Sequence, residues 1–190
     1  MTTSGWLRPW RQEDAAALLA AHRASTDLAR QTGPIDDVDA AGQVITSYNA
    51  DVAAGSAYIW AIVEADEALG AVGVSRINRT HRLGWCWYWL SAGARGRGLA
   101  TGALLAAAQF AYTEGLFRLE LGHRLDNPAS CSVASRAGFI AEGIERSKLE
   151  YDGQRFDCET HARLATDPAP VGALPIHRSD GEIHEQECET

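Results

Sequence analysis

Lysine is almost absent from this chain: Lys148 is the only one, and arginine supplies the rest of the 17 basic residues. Arginine in place of lysine, together with abundant alanine, fits the coding bias of a high-GC bacterial genome and says nothing about function. Basic charge is also in deficit. The net charge is −8, and residues 180–190 carry five acids with no Lys or Arg. Without them the body still holds 20 acids against 17 bases. The basic footprint of a nucleic-acid binder is missing, so no nucleic-acid partner is expected. Long apolar runs are lacking too. The longest uncharged stretch in the middle, residues 99–113, contains Gln109 and several small residues and falls short of the ~18 apolar residues of a membrane span. The first residues hold no basic segment followed by an apolar one, so no secretory signal is read and a cytoplasmic protein without a membrane partner is expected. Paired cysteines are missing as well. Cys86, Cys131, Cys158 and Cys188 form no C-x-x-C step, which argues against a disulfide framework or a zinc site and leaves reduced thiols with no bound metal.

What is present suits one domain. The chain has 190 residues, 46% hydrophobic and 22% charged, enough for a full core. Residues 6–10 read as a first or edge strand closed by Pro9. Residues 15–30 have helical spacing, and Gly33-Pro34 stops that helix. Asp36 or Asp37 caps a second helix with the stripe Val44, Ile45, Tyr48 and Val52. Residues 57–63 and 69–77 read as two strands joined by a polar turn. Residues 83–90 form a third, with Trp85, Trp87 and Trp89 on one face and Cys86, Tyr88 and Leu90 on the other. Both faces are apolar, which marks a central strand. A loop at 91–98 leads into a helix at 99–114 with the inward stripe Leu104, Leu105, Ala108 and Tyr112. A strand at 118–125 follows, then a short helix capped by Asn127, preset by Pro128 and ended by Gly138. Strands at 140–151 and 155–164 close the domain around the Asp152-Gly153 turn. The expected class is α/β: a mixed, mostly antiparallel sheet of about seven strands with helices on both faces, spanning residues 1–165. Residues 166–190 are expected to be an acidic, loosely attached tail.

The loop carries the chemistry. It leaves a buried strand and opens a helix, whose first N–H groups lack internal partners and whose dipole is positive there. Gly96 and Gly98 let the backbone approach a ligand, and Arg95 and Arg97 add charge. This is an anion site suited to a diphosphate. The missing lysine excludes a Walker loop. A dinucleotide fingerprint fails because Thr101 stands where its third glycine belongs.

Arg95-x-x-Gly98-x-Ala100 resembles the R/Q-x-x-G-x-G/A motif of the GCN5-related N-acetyltransferases, the GNAT superfamily. Further on, Trp87-Tyr88-Trp89-Leu90, Asn127-x-x-Ser130, Ala137-Gly138-Phe139, Glu142-Gly143 with Arg146, and residues 153–157 resemble its branch of ribosomal-protein N-terminal acetyltransferases. The resemblance covers roughly residues 6–164. It implies acetyl-coenzyme A as co-substrate, with the pantetheine arm and thioester carbonyl on the backbone around Trp89 and Leu90. It puts the pyrophosphate on the N–H groups of Arg95, Gly96, Arg97, Gly98, Leu99 and Ala100, with Thr101. It puts the pantetheine amide on Asn127, the leaving sulfur near Ser130, and a phosphate on the adenosine side near Arg136. A plain helix cap explains Asn127 equally well.

The reaction needs little acid–base help, because a thiol with a pKa of ~8.5 leaves readily and an α-amino group of ~7.7–8.0 is easily made neutral. Positioning and N–H groups aimed at the oxyanion carry most of it. Candidate bases are Glu120, His123, Asp126, His81 and Glu64, and the sequence does not choose among them. The resemblance favours a protein or peptide N-terminus as acceptor and allows a homodimer. A small-molecule amine such as a polyamine or aminoglycoside, a non-catalytic acyl-coenzyme A sensor, and a nicotinamide-binding oxidoreductase are the competing readings.

Overall fold

The computed structural model describes residues 5–26, 28–29 and 33–177. The elements run β1 (Trp6–Arg8), α1 (Ala15–Arg23), α2 (Val38–Ala53), β2 (Tyr58–Glu64), β3 (Glu67–Asn78), β4 (Leu83–Leu90), α3 (Leu99–Thr113), β5 (Arg118–Arg124), α4 (Pro128–Arg136), β6 (Ile140–Tyr151) and β7 (Gln154–Leu164). They form one seven-stranded sheet in the order β1-β2-β3-β4-β5-β7-β6. Every neighbouring pair is antiparallel except β4 with β5. The expected mixed, mostly antiparallel sheet is the one that forms. No helix among the described residues is long and apolar enough to cross a membrane.

Alternation along the strands divides the interior into two cores. Ile59, Ala61 and Val63 of β2 and Trp89 of β4 pack with Leu18 of α1 and Ala41 and Ile45 of α2. Trp60 and Ile62 of β2, Cys86 and Leu90 of β4, and Leu121 of β5 pack with α3 on the opposite face, joined by Ala134 of α4. Period-2 patterning thus puts both faces of the central strands in apolar contact.

Local chemistry sets the helix ends. Asp37, rather than Asp36, caps α2, its side chain accepting from Ala40 N at 2.8 Å. α1 is shorter than its spacing predicts and ends at Arg23. Just beyond it Ser25 takes part in a turn, donating its N–H to His22 O and accepting from Leu28 N with its hydroxyl, the competition by which serine interrupts helices. Residues 27 and 30 of the expected helix lie outside the described residues.

α3 differs from its expected single stripe. Besides Leu104, Leu105 and Ala108, the residues Gly102, Ala103, Ala106, Ala107 and Ala111 are buried. The outer side is covered by the segment after β7, which crosses back over the helix. Leu174 donates its N–H to Gly102 O at 3.0 Å and is buried, and Ile176 pairs parallel with Leu7 of β1. The stretch expected to be loose from 166 is therefore docked as far as His177, and the acidic residues 180–190 lie outside the described residues.

One buried ion pair anchors the start of the domain. Arg8 on β1 and Asp14 before α1 are 4% and 7% exposed and meet through two bonds of 2.7 and 2.9 Å. Burial alone would raise the Asp14 carboxyl, but the Arg8 guanidinium and the Arg11 N–H outweigh it and hold it below the usual carboxylate range.

Asp14→Asn removes the buried carboxylate from the guanidinium, leaving only the exposed Asp66 at 3.7 Å, and should cost about 3 kcal/mol in urea unfolding at neutral pH. Because the folded pKa is depressed, that stabilisation is present above the unfolded value of ~3.9 and is lost as pH falls through the folded one. The gap between wild type and variant should therefore shrink below about pH 4, and a gap that stays constant to pH 2 would remove the pair from the acid limb. A second expectation concerns Gly102→Ala, which helix propensity alone predicts to be stabilising by ~1 kcal/mol. A Cβ there would meet Gly172 O and Leu174 Cγ, each at 2.9 Å. We expect destabilisation instead, read as a lower thermal midpoint, with the sign reversed if the strap over α3 is not present in solution.

Candidate active site

β4 and β5 touch only at their beginnings. Their parallel pairing runs through Leu83↔Arg118, Gly84↔Leu119 and Trp85↔Glu120 and then stops, although β4 continues to Leu90 and β5 to Arg124. The strands part into a wedge open at their C-terminal ends, where α3 and α4 begin. Trp85 packs at its vertex, since a Cβ on Gly122 of β5 would come within 3.2 Å of the indole. Ligands of open sheets with crossover helices bind at such carboxyl-end crevices, because two helix N-termini and unpaired strand groups converge there.

One wall is the loop. Gly96 and Gly98 have φ of 75° and 83°, the left-handed region that glycine enters without penalty. A Cβ on Gly96 would meet nothing within 4 Å, so the backbone there is open to a ligand. The N–H groups of residues 96–101 have no backbone acceptor among the described residues. Leu99 and Ala100 bury their side chains in the core, leaving only their N–H groups to face outward. These features fit a diphosphate. The two arginines do other work. Arg95 donates to Leu90 O at 3.3 Å and to Ser25 Oγ at 3.1 Å, tying the loop to the end of β4. Arg97 is paired with Glu64 at 2.5 Å. The anion site is thus built mainly from backbone dipoles, and the charge expected from the two side chains is already engaged.

The other wall is α4. Asn127 caps it through Ser130 N at 3.1 Å, and Arg136 is exposed in its last turn. Ser130, half-buried, faces Tyr88 of β4. The Tyr88 hydroxyl is buried with no hydrogen-bond partner. Burial raises this phenol, and the Ser130 hydroxyl, beside it but not in hydrogen-bonding geometry, offsets part of the rise. An orphaned buried hydroxyl next to a serine at the mouth of the wedge fits a contact with a polar ligand atom. Tyr88 was not singled out by sequence, where it reads as one apolar residue of a central strand.

The candidate bases fall in five different settings. Glu120 and His123 lie on opposite faces of β5, as odd and even positions must. Glu120 is on the Trp85 side and is held by Arg118 at 2.6 Å, which also pairs with Glu142. Asp126 is exposed and paired with Arg124 at 2.5 Å. Glu64 belongs to the loop through Arg97. His81 sits in the turn before β4, about 25 Å of strand from the loop. His123 is buried on the α4 side, where its Nε2 lies 3.0 Å from His161 Nε2. Glu159 of β7 joins them, with Oε2 at 3.1 Å from His161 and 3.4 Å from His123. Its carboxyl is held below the usual range chiefly by the His161 hydrogen bond, with a smaller contribution from the Cys131 thiol, against the opposing effect of burial. Sequence missed this cluster because its members come from β5, α4 and β7.

The comparisons agree with the geometry. Residues 6–140 match the family model described as an acetyltransferase (GNAT) domain. Over 111 residues the chain is 32% identical to the ribosomal-protein-serine acetyltransferase of Escherichia coli (strain K12), a match spanning 58% of this chain and 62% of that protein. The structure of Mycobacterium smegmatis RimJ in complex with CoA-disulfide superposes with a TM-score of 0.74 at 27% identity, covering 84% of this chain and 81% of that one. An acetyl transferase from Salmonella typhimurium that modifies the N-terminal serine of a 50S ribosomal subunit protein shares the fold, with a TM-score of 0.76 at 22% identity over 86% of this chain and 96% of that one. With a family match over most of its length, a wedge between β4 and β5 and a glycine loop at the N-terminus of α3, the chain belongs to the GNAT acetyltransferase family.

Proposed function

We propose that this protein is an acetyl-coenzyme A-dependent N-acetyltransferase whose acceptor is the α-amino group of a protein or peptide. The observation that carries the donor assignment is the wedge between β4 and β5, with the open N–H groups of residues 96–101 on one wall and Asn127 and Ser130 on the other. In this reading the loop holds the pyrophosphate, the unpaired edge of β4 around Trp89 and Leu90 holds the pantetheine arm, and Asn127 bonds its amide while capping α4. Ser130 and Tyr88 hydrogen-bond the departing thiolate and supply its proton. Arg136, exposed in the last turn of α4, meets a phosphate on the adenosine side. The acceptor reading is supported by the E. coli relative, named for a ribosomal-protein serine. It is also supported by chemistry: Glu120, Asp126 and Glu64 are all ion-paired, and an α-amino group with a pKa of ~7.7–8.0 needs the weakest base.

A thiol-release assay tests this directly, with acetyl-coenzyme A offered to peptides with free N-termini, to polyamines and to aminoglycosides. Turnover with peptides and none with the small amines is expected. Turnover with the small amines alone would replace the acceptor, and tight donor binding with no turnover on any amine would make the protein a sensor.

Two variants probe the walls. Gly98→Val forces a β-branched side chain into a left-handed backbone at the loop. It should weaken acetyl-coenzyme A binding by more than about tenfold, or ~1.4 kcal/mol, with circular dichroism unchanged. Unchanged affinity would reject the loop as the pyrophosphate site. Ser130→Ala should lower kcat by about 10- to 100-fold with little effect on KM for the donor. Equal kcat values would exclude the hydroxyl from leaving-group protonation.

A further inference from the structure

The cluster on the α4 side of β5 and β7 is poor in protons. His123 Nδ1 lies 2.9 Å from Arg124 O. A carbonyl only accepts, so Nδ1 carries the hydrogen and, in the neutral ring, Nε2 presents a lone pair to the cluster. That lone pair faces His161 Nε2 at 3.0 Å and Glu159 Oε2 at 3.4 Å. Cys131 Sγ completes the group, with all four atoms within 4.8 Å of one another. Two imidazole nitrogens, a carboxylate and a sulfur therefore converge on one point, with one shared ring N–H and one S–H between them. Both imidazoles are buried, His161 at 2% exposure, while Cys131 and Glu159 are half-buried and leave the cluster an opening.

We infer that His123, Cys131, Glu159 and His161 form a binding site for a divalent first-row transition ion of the zinc class. The donor set is nitrogen, nitrogen, oxygen and sulfur, which selects such an ion over magnesium or calcium. Bonds of 2.0–2.3 Å in a tetrahedron place ligand atoms about 3.3–3.7 Å apart. The 3.0–3.4 Å separations among the two imidazole nitrogens and the carboxylate oxygen need to open by only a few tenths of an ångström, and Cys131 Sγ already lies within 4.8 Å of all three. Binding releases the thiol proton and moves the His161 ring hydrogen from Nε2 to the buried Nδ1, so that both imidazoles ligate as neutral rings. The thiolate and the carboxylate then neutralise the dication, so no net charge is buried. The hydrogen bond from His123 Nδ1 to a carbonyl is the outer contact that fixes a metal-binding imidazole. Two ligands, Glu159 and His161, sit at i and i+2 on β7, on the same face as His123, which is directly opposite Glu159 in the ladder. Strand geometry therefore holds three of the four ligands. The site is separate from the glycine loop and does not depend on the proposed acceptor.

The test uses the full chain, stripped by chelation and titrated with Co²⁺ alone, then with Zn²⁺ as competitor. The expected result is one equivalent of tetrahedral cobalt with a thiolate-to-metal charge-transfer band, displaced by zinc. Cys131→Ser should abolish the charge-transfer band. Cys158→Ser, on the opposite face of β7 beside Gly122, should keep it. His161→Gln should weaken cobalt binding by about 10- to 100-fold or more. Should that buried substitution fail to fold, the half-exposed Cys131 variant still decides the question. Absence of a thiolate band in the wild type, or a band that survives Cys131→Ser, overturns the site and leaves a hydrogen-bonded proton network. Acetyl-transfer activity enters none of these readouts, so failure of the metal site and failure of the proposed function are told apart.

Discussion

The early end of the β4–β5 ladder is the constraint on which the rest of the molecule depends. A parallel pair needs a crossover, and here the crossover is α3. Had the two strands stayed paired to Leu90 and Arg124, both helix N-termini would close over a continuous sheet. Three paired positions instead of seven leave a crevice between two positive helix ends. The packing of Trp85 against Gly122 at the vertex sits where the strands begin to separate. Fold and cofactor geometry are therefore two descriptions of one interrupted ladder.

Much of this was legible in the residues, and for identifiable reasons. The Trp85-Cys86-Trp87-Tyr88-Trp89-Leu90 run has no polar face, so a central strand was the available reading. Gly98, Asn127-Pro128, Gly138 and Asp152-Gly153 each need a particular backbone geometry, so helix and hairpin limits fell within a residue or two. α1 was read too long because Ser25 supplies a turn that apolar spacing does not see. The burial around α3 was underestimated because the strap that covers its outer side lies some seventy residues further along, beyond the reach of any local pattern.

Side-chain partnerships were less legible than backbone roles. Arg95 and Arg97 read in the sequence as charge beside the glycines; in the structure one also ties the loop to β4 and the other pairs with Glu64. Charge type is visible in sequence, whereas the choice of partner is fixed by the fold. The same holds for Glu120 and His123. Three positions apart on a strand, they face opposite sides of the sheet, a consequence of pleating that separates one acid into a surface ion-pair group and one imidazole into a buried cluster. Tyr88 reads in the sequence only as part of an apolar strand, because an orphaned hydroxyl is a property of surroundings rather than of residue type.

The strap has a further consequence for how the protein is made. β1 lies at the edge of the sheet and is flanked on its outer side by residues 175–177 through Leu7 N to Pro175 O and His177 N to Leu7 O. During synthesis β1 emerges well before residues 175–177, and its outer edge stays unpaired until they have followed. An unpaired edge is the part of a nascent sheet most open to joining another chain. Among the described residues the contact between β1 and the strap is thus one of the longest-range in the fold and among the last that can form. Arrival of the strap, rather than formation of the core, closes that edge.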